Sequence, residues 1–259
     1  MIRSFVPRIA PALLLAAFSL PGFAQAQKDY QPESFQPGKD VVWVPTPQVL
    51  VDKMLEMAKV TPNDSVIDLG SGDGRTVISA AKRGARAVGV EYDPDMVELS
   101  RRIAEKEGVS ARATFVKADL FETDFSAFSV ITMFLLPTIN LKLRPKILAL
   151  KPGTRIVSNS FDMGAWQADE IADLSSSGAC SVSYCTSLLW IVPARVAGTH
   201  NLPQGKLVLE QTFQRLAGSL NTEGKTLAVE GSVRGEEITF TAGGREYRGR
   251  MNGKSLELR

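Results

Sequence analysis

Val66 to Arg75 reads VIDLGSGDGR, three apolar side chains around an aspartate that run into a glycine-rich loop. The apolar run stopping at Leu69 marks a short buried strand. Beyond it, Gly70 and Gly72 let the chain turn sharply and let a ligand approach where a Cβ would collide. A dinucleotide fingerprint is spaced Gly-x-Gly-x-x-Gly, which here would need its third glycine at position 75, the place of Arg75. The third glycine is Gly74, one residue early. A helix starting after the loop turns its free N–H groups toward the same ligand. Asp68 and Asp73 bracket the loop, and two carboxylates there repel a pyrophosphate but suit a cation. A sulfonium with an amino-acid tail meets that demand better than a dinucleotide does.

Outward from this loop the pattern alternates. Leu50, Val51, Met54, Leu55 and Ala58 recur at helical spacing before it, with Thr46 as the expected N-cap and Pro47 at the first helical position. After it come a helix over 76–82, a strand over 87–92 and a helix from Pro94 capped by Asp93 and ended before Gly108. Strands over 113–117, 129–135 and 154–158 follow, with a helix over 139–150 that tolerates Pro145. Strands recurring between helices predict an α/β fold with a parallel sheet covered by helices on both faces, a Rossmann-like doubly wound architecture. Ligands on such sheets sit at the carboxyl ends of the strands. Those ends carry acidic residues in order. Glu91 closes the second strand, where a carboxylate can accept both hydroxyls of a ribose. Asp119 follows the third and can accept from an adenine amino group, with Leu120 packing on the ring.

These features together resemble one family, the class I, seven-strand S-adenosylmethionine-dependent methyltransferases, over about residues 42–200. VIDLGSGDGR is similar to its first motif, VGVEYDP to its acidic second and VKADLFETDFS to its adenine-side third. VWVPTPQVLVDKML together with FLLPTINLKLRPKILALKPGTRIVSNSF resembles a branch of small archaeal and bacterial protein-lysine methyltransferases. The resemblance implies S-adenosyl-L-methionine as cofactor. Its methionine end would be shaped by Asp68, Gly70, Ser71, Gly72 and Gly74, with Thr46 near the tail. Glu91 would hold the ribose, and Asp119 and Leu120 the adenine. The fourth strand ends in Phe134-Leu135-Leu136-Pro137 rather than in the Asn/Asp-Pro-Pro-Tyr/Phe of enzymes that methylate planar amines. An apolar lip of this kind suits the aliphatic stem of a lysine. Trp43, Phe134, Asn159 and Phe161 are the candidates for the acceptor channel. No catalytic base is assigned, because alignment of a desolvated amine with the methyl donor supplies much of the acceleration.

The ends of the chain add a second expectation. Arg3 and Arg8, an apolar run from Ile9 to Leu20, and Ala24-Gln25-Ala26 have the layout of a cleaved signal peptide over 1–26, implying export, in a periplasmic setting, with no membrane span after cleavage. An uncleaved signal would instead anchor the protein. Residues 27–41, polar and proline-bearing, read as a leader. Without 1–26, Lys plus Arg falls from 30 to 28 against 28 Asp plus Glu, leaving no net charge and no basic footprint for nucleic acid. Cys180 and Cys185 read as two packing thiols, since on one extended strand they lie too far apart to bond, whereas a turn between them would permit it. The single histidine, His200, makes no metal site by itself. Alternation over 207–213 and at Ile238, Phe240 and Ala242, then Gly243-Gly244, predicts a β-rich extension over 203–259 containing a hairpin. Two other functions fit this sequence: a small-molecule methyltransferase, and a non-catalytic exported module that binds the cofactor and acts through its β-rich tail.

Overall fold

The structure, a computed structural model, describes residue 1 and residues 30–175, 178, 180–253 and 255–259. The rest of the expected signal peptide and the start of the leader lie outside the described residues. Within Pro32–Arg259 the first part folds as the alternation requires. Helix α1 (Gln48–Met57) precedes β1 (Ser65–Leu69), α2 (Arg75–Lys82), β2 (Arg86–Glu91), α3 (Pro94–Lys106) and β3 (Ala113–Lys117). Then come β4 (Val130–Met133), α4 (Pro137–Leu148), β5 (Arg155–Asn159), β6 (Glu170–Asp173) and β7 (Thr186–Ile191). The sheet order is β3-β2-β1-β4-β5-β7-β6, with β1 to β5 parallel and β7 antiparallel to both β5 and β6.

Side-chain alternation explains the layering. Val66, Val130 and Val157 point to one face, where they pack with Leu50 and Met54 of α1, Val77 of α2 and Val97 of α3. Their neighbours Ile67, Ile131 and Ile156 point to the other, against Ile139, Leu143 and Ile147 of α4 and the buried Trp166 and Trp190. Strands buried on both faces read as continuous apolar runs, and these do.

Three local expectations need correction. Thr46 does not cap α1: the N-cap is Pro47, without a side-chain cap bond, and the Thr46 carbonyl instead accepts from Arg75 Nη1 at 2.9 Å. β4 ends at Met133 rather than at 135, because the chain turns into α4 at Pro137. Cys180 and Cys185 are joined by a disulfide, their Cα atoms 6.2 Å apart. The chain bends between them and enters β7 only at Thr186, so they never share a strand. Asp93, by contrast, caps α3 as expected, accepting from Asp95 N at 2.9 Å.

The C-terminal part is a second, wholly antiparallel sheet, β8 (Gly198–Leu202), β9 (Gly205–Thr212), β10 (Arg215–Thr222), β11 (Lys225–Arg234), β12 (Glu237–Ala242), β13 (Arg245–Asn252) and β14 (Ser255–Leu258), each paired to the next. Gly243-Gly244 makes the β12–β13 turn, both at positive φ. The inward residues, among them Leu207, Leu209, Leu220, Val229, Val233, Ile238 and Phe240, form a separate core. Among the described residues, no helix is long and apolar enough to cross a membrane.

Candidate functional site

The carboxyl ends of β1, β2, β3 and β4 converge on one pocket, as parallel topology demands. Thr46, Asp68, Gly70, Ser71, Gly72, Glu91, Asp119, Leu120, Trp43 and Phe134 all line it. Gly74 does not: it sits behind the loop at φ +80, where an added Cβ would come within 2.6 Å of the Phe115 ring. Gly72, at φ +53, faces the other way, and a Cβ there would meet the Trp43 indole nitrogen at 2.4 Å.

The loop is tied to the second strand end. Gly70 N and Ser71 N donate to the Val90 carbonyl at 2.9 and 3.0 Å. The Glu91 carboxylate accepts three backbone N–H groups, from Gly72 at 2.9 Å, Tyr92 at 2.7 Å and Asp93 at 3.0 Å. Ser100 Oγ donates to the Gly72 carbonyl at 2.9 Å, so α3 also steadies the loop.

The two aspartates that bracket the loop stand in different surroundings. Asp73 is engaged by Arg75, whose Nε and Nη2 donate at 2.9 and 2.5 Å, so its charge is already answered. Asp68 is buried, and Thr132 Oγ1 donates to it at 2.6 Å. Burial first, and then the nearby Glu91 and Asp73 charges, push its carboxyl up to about 7 against the pull of the Thr132 hydroxyl. A carboxylate so placed gains from a cation in the pocket. The Ser71 hydroxyl is also buried and without a hydrogen-bond partner among the described residues; it lies toward Gly89, where an added Cβ would meet it at 2.6 Å.

A segment read as leader proves to be part of the site. Residues 36–46 lie over the pocket as a strap, with Phe35 N donating to the Trp43 carbonyl at 2.7 Å and Trp43 N to the Gln36 carbonyl at 2.9 Å. Lys39 is paired with Asp119 and stands 4.8 Å from the centre of the Tyr92 ring. The Lys39 ammonium, helped by the Phe121 N–H, holds the Asp119 carboxyl below its ordinary range. The apolar run Val41-Val42-Trp43-Val44 is the signal in the sequence that this segment is packed rather than free, and Val41 is the residue that packs on the core beneath it.

Beside the pocket, and sharing Phe134, Leu135 and part of the strap with it, lies a cleft of about 680 Å³. Phe161 lines it, as does Tyr184, which no sequence pattern singles out. The Phe134 ring lies 5.9 Å from Phe161 and 5.5 Å from Tyr184, forming a three-ring wall. Of the other channel candidates, Trp43 stands on the pocket side against Gly72 and is absent from this wall. Asn159 lies behind both spaces, fully buried, its Nδ2 donating to Thr46 Oγ1 at 3.3 Å. Among the described residues, no group of three His, Cys, Asp or Glu could hold a metal.

Comparison with known proteins agrees with this geometry. The family model described as the ANTKMT methyltransferase domain matches residues 68–170. A protein-lysine N-methyltransferase of Saccharolobus islandicus (strain REY15A) is 47% identical over 134 residues, 51% of this chain and 83% of that protein. The adenine nucleotide translocase lysine N-methyltransferase of Mus musculus is 35% identical over 119 residues, 45% of this chain and 52% of that protein, so the chain spans about half the length of this second relative. A crystal structure of an RNA methyltransferase from Salinibacter ruber in complex with S-adenosyl-L-homocysteine is 45% identical, covering 59% of this chain and 96% of that one, with a TM-score of 0.54.

Proposed function

Because this chain belongs to the S-adenosylmethionine-dependent methyltransferases, in the family that includes the protein-lysine enzyme of Saccharolobus islandicus, we propose that it methylates the side-chain amine of a protein lysine. The observation that carries this reading is the aromatic cleft of Phe134, Phe161 and Tyr184 opening beside the cofactor pocket. Aromatic faces accommodate an aliphatic stem and a cationic head, which is the shape of a lysine side chain. No planar-amine clamp replaces them at the end of β4.

S-adenosylmethionine, when bound, supplies an electrophilic methyl group on a sulfonium. Asp68 and Ser71 are assigned to its methionine end, with Gly70 and Gly72 giving the close backbone approach. Glu91 is assigned to the ribose, and Asp119 with Leu120 to the adenine. The aromatic wall removes water from the acceptor amine, which lowers its affinity for a proton and favours the neutral, nucleophilic form. Its lost proton leaves through the open side of the cleft, so no dedicated base is assigned.

Export is part of the proposal. Arg3, Arg8 and the apolar run after them support it, and so does the Cys180–Cys185 disulfide, a bond that persists in oxidising compartments. Fusing residues 1–30 to a reporter active only outside the cytoplasm tests this, with a silent reporter as the contrary result.

The acceptor is tested by incubating the enzyme with methyl-labelled cofactor and an envelope extract, then hydrolysing the labelled fraction. Label in methyl-lysine is expected. Label removed by ribonuclease would overturn the lysine reading in favour of an RNA acceptor, the activity named for the Salinibacter ruber structure; the absence of net charge after residue 26 speaks against it.

A further inference from the structure

The three rings of the cleft are held in place in different ways. Phe134 follows directly on β4. Phe161 is fixed from two sides: its carbonyl accepts from Ser158 Oγ at 2.7 Å and from Asn140 Nδ2 at 3.1 Å, so β5 and α4 both locate it. Tyr184 belongs to no strand. It lies inside the short loop that the Cys180–Cys185 disulfide closes, and beyond that loop β7 begins at Thr186. Cys185 is anchored by its carbonyl, which accepts from Leu174 N at 2.9 Å, and its side chain is buried. Cys180 is nearly as buried, and its bond to Cys185 is the covalent tie at the far end of the loop.

We propose that Tyr184 is a specificity-determining residue of the acceptor channel, and that the Cys180–Cys185 disulfide is the positioning device that holds its ring against Phe134. This rests on the reading of the aromatic cleft as the acceptor channel. Two walls of the channel come from the sheet, and the third is supplied by a loop that is locked only when oxidised. A ring held in advance contributes more to binding than one that must be ordered as the acceptor arrives, because the ordering cost is removed from the binding step. The Tyr184 face adds an attraction for the cationic head of an incoming or methylated amine. Tyr184 is absent from the lining of the cofactor pocket and meets it only through the shared Phe134 ring. The disulfide therefore tunes acceptor use and leaves cofactor binding alone. The chain holds only two cysteines, so a reductant has this single target.

The test compares the full-length enzyme, oxidised and reduced, with Tyr184→Ala, Tyr184→Phe and the double variant Cys180→Ser with Cys185→Ser. Cofactor affinity is measured by calorimetry, and methyl transfer is followed as rate against the concentration of envelope extract. Tyr184→Ala is expected to raise the extract concentration for half-maximal rate about tenfold, between the worth of an exposed and a fully desolvated cation–aromatic contact, with cofactor affinity unchanged. Tyr184→Phe recovers most of that loss, since the ring face is retained. The double serine variant and the reduced enzyme shift in the same direction, and reductant has no further effect on the double variant. An unchanged half-saturation in Tyr184→Ala, or an equal response of wild type and double variant to reductant, would overturn the proposal. Label recovered outside lysine would overturn the lysine assignment alone, because the dependence on Tyr184 is read from whatever acceptor the extract supplies.

Discussion

Asp68 concentrates the chemistry of the glycine loop in one carboxyl group. Its folded value of about 7 lies above the ordinary 3.8, first because it is buried. Between those two values the native state keeps a proton that the unfolded chain has lost, so ligand-free stability falls as pH rises through that window. Cofactor binding has the opposite dependence. A cationic ligand favours the ionised carboxylate, so affinity should rise with pH up to about 7, by at most about tenfold per unit for one released proton, and then level off. Calorimetry in buffers of different ionisation enthalpy measures that proton directly. Asp68→Asn should remove the pH slope and bind weakly throughout; a slope that survives in Asp68→Asn would assign the proton to another group. At Glu91 the expectation concerns magnitude rather than pH. Its carboxylate collects three backbone N–H groups and is also assigned to the ribose. Glu91→Ala should therefore weaken cofactor binding by about 1.5–3 kcal/mol, the range for a hydrogen bond to a charged group, and should lower thermal stability as well.

Among the elements, those with strong periodicity are legible in the sequence and those shaped by long-range contact are not. β1 and β2 announce themselves as short apolar runs, β3 by the alternation of Ala113 and Phe115, and Asp93-Pro94 marks the start of α3 by local capping chemistry. The ordered series Asp68, Glu91 and Asp119 is equally readable, because parallel topology sends every strand end to the same edge. β6 and β7 escape such a reading: β6 is a short, largely exposed edge strand, Glu-Ile-Ala-Asp, that owes its pairing to β7. The strap escapes it for a related reason, since polar residues such as Lys39 gain their place only from a partner 80 positions away. That partner is Asp119, so the strap's ion pair and the adenine assignment draw on one carboxylate. Lys39→Ala should speed cofactor association, because the solvent-screened Lys39–Asp119 pair no longer has to open before Asp119 is reached. Trp43 against Gly72 provides the fluorescent reporter for a stopped-flow measurement. An unchanged rate would mean that Asp119 is reached with the pair intact. Gly72→Ala should abolish tight binding, since its Cβ would strike the Trp43 ring from a backbone conformation that L-residues seldom adopt.

For the whole molecule, the question is whether the antiparallel sheet is an independent appendage or a structural part of the methyltransferase fold. It has its own core, but Phe213, in the β9–β10 turn, leaves that core and stacks on Trp166 with ring centres 6.2 Å apart and planes 14° from parallel. The Arg144 guanidinium of α4 covers the same ring at 5.5 Å. Around it Gln214 Nε2 donates to the Gln167 carbonyl at 2.7 Å, Ala194 N donates to the Gly235 carbonyl at 2.7 Å, and Arg234 pairs with Glu170. Phe213 adopts φ +54, a left-handed conformation that costs a side-chain-bearing residue about 1–2 kcal/mol. A phenylalanine persists there because its ring fills the contact between the two sheets. Phe213→Ala keeps the backbone cost and loses the ring, and should destabilise by about 2–3 kcal/mol, below the usual loss for a fully buried phenylalanine. Phe213→Gly loses the ring too but relieves the backbone, so it should be about 1 kcal/mol more stable than the alanine variant. Differential scanning calorimetry decides the larger question. One transition in wild type that divides into two in Phe213→Ala would mean that this contact makes the sheets unfold together, whereas a single transition in both, with little change in midpoint, would mean that the coupling lies in the surrounding polar contacts.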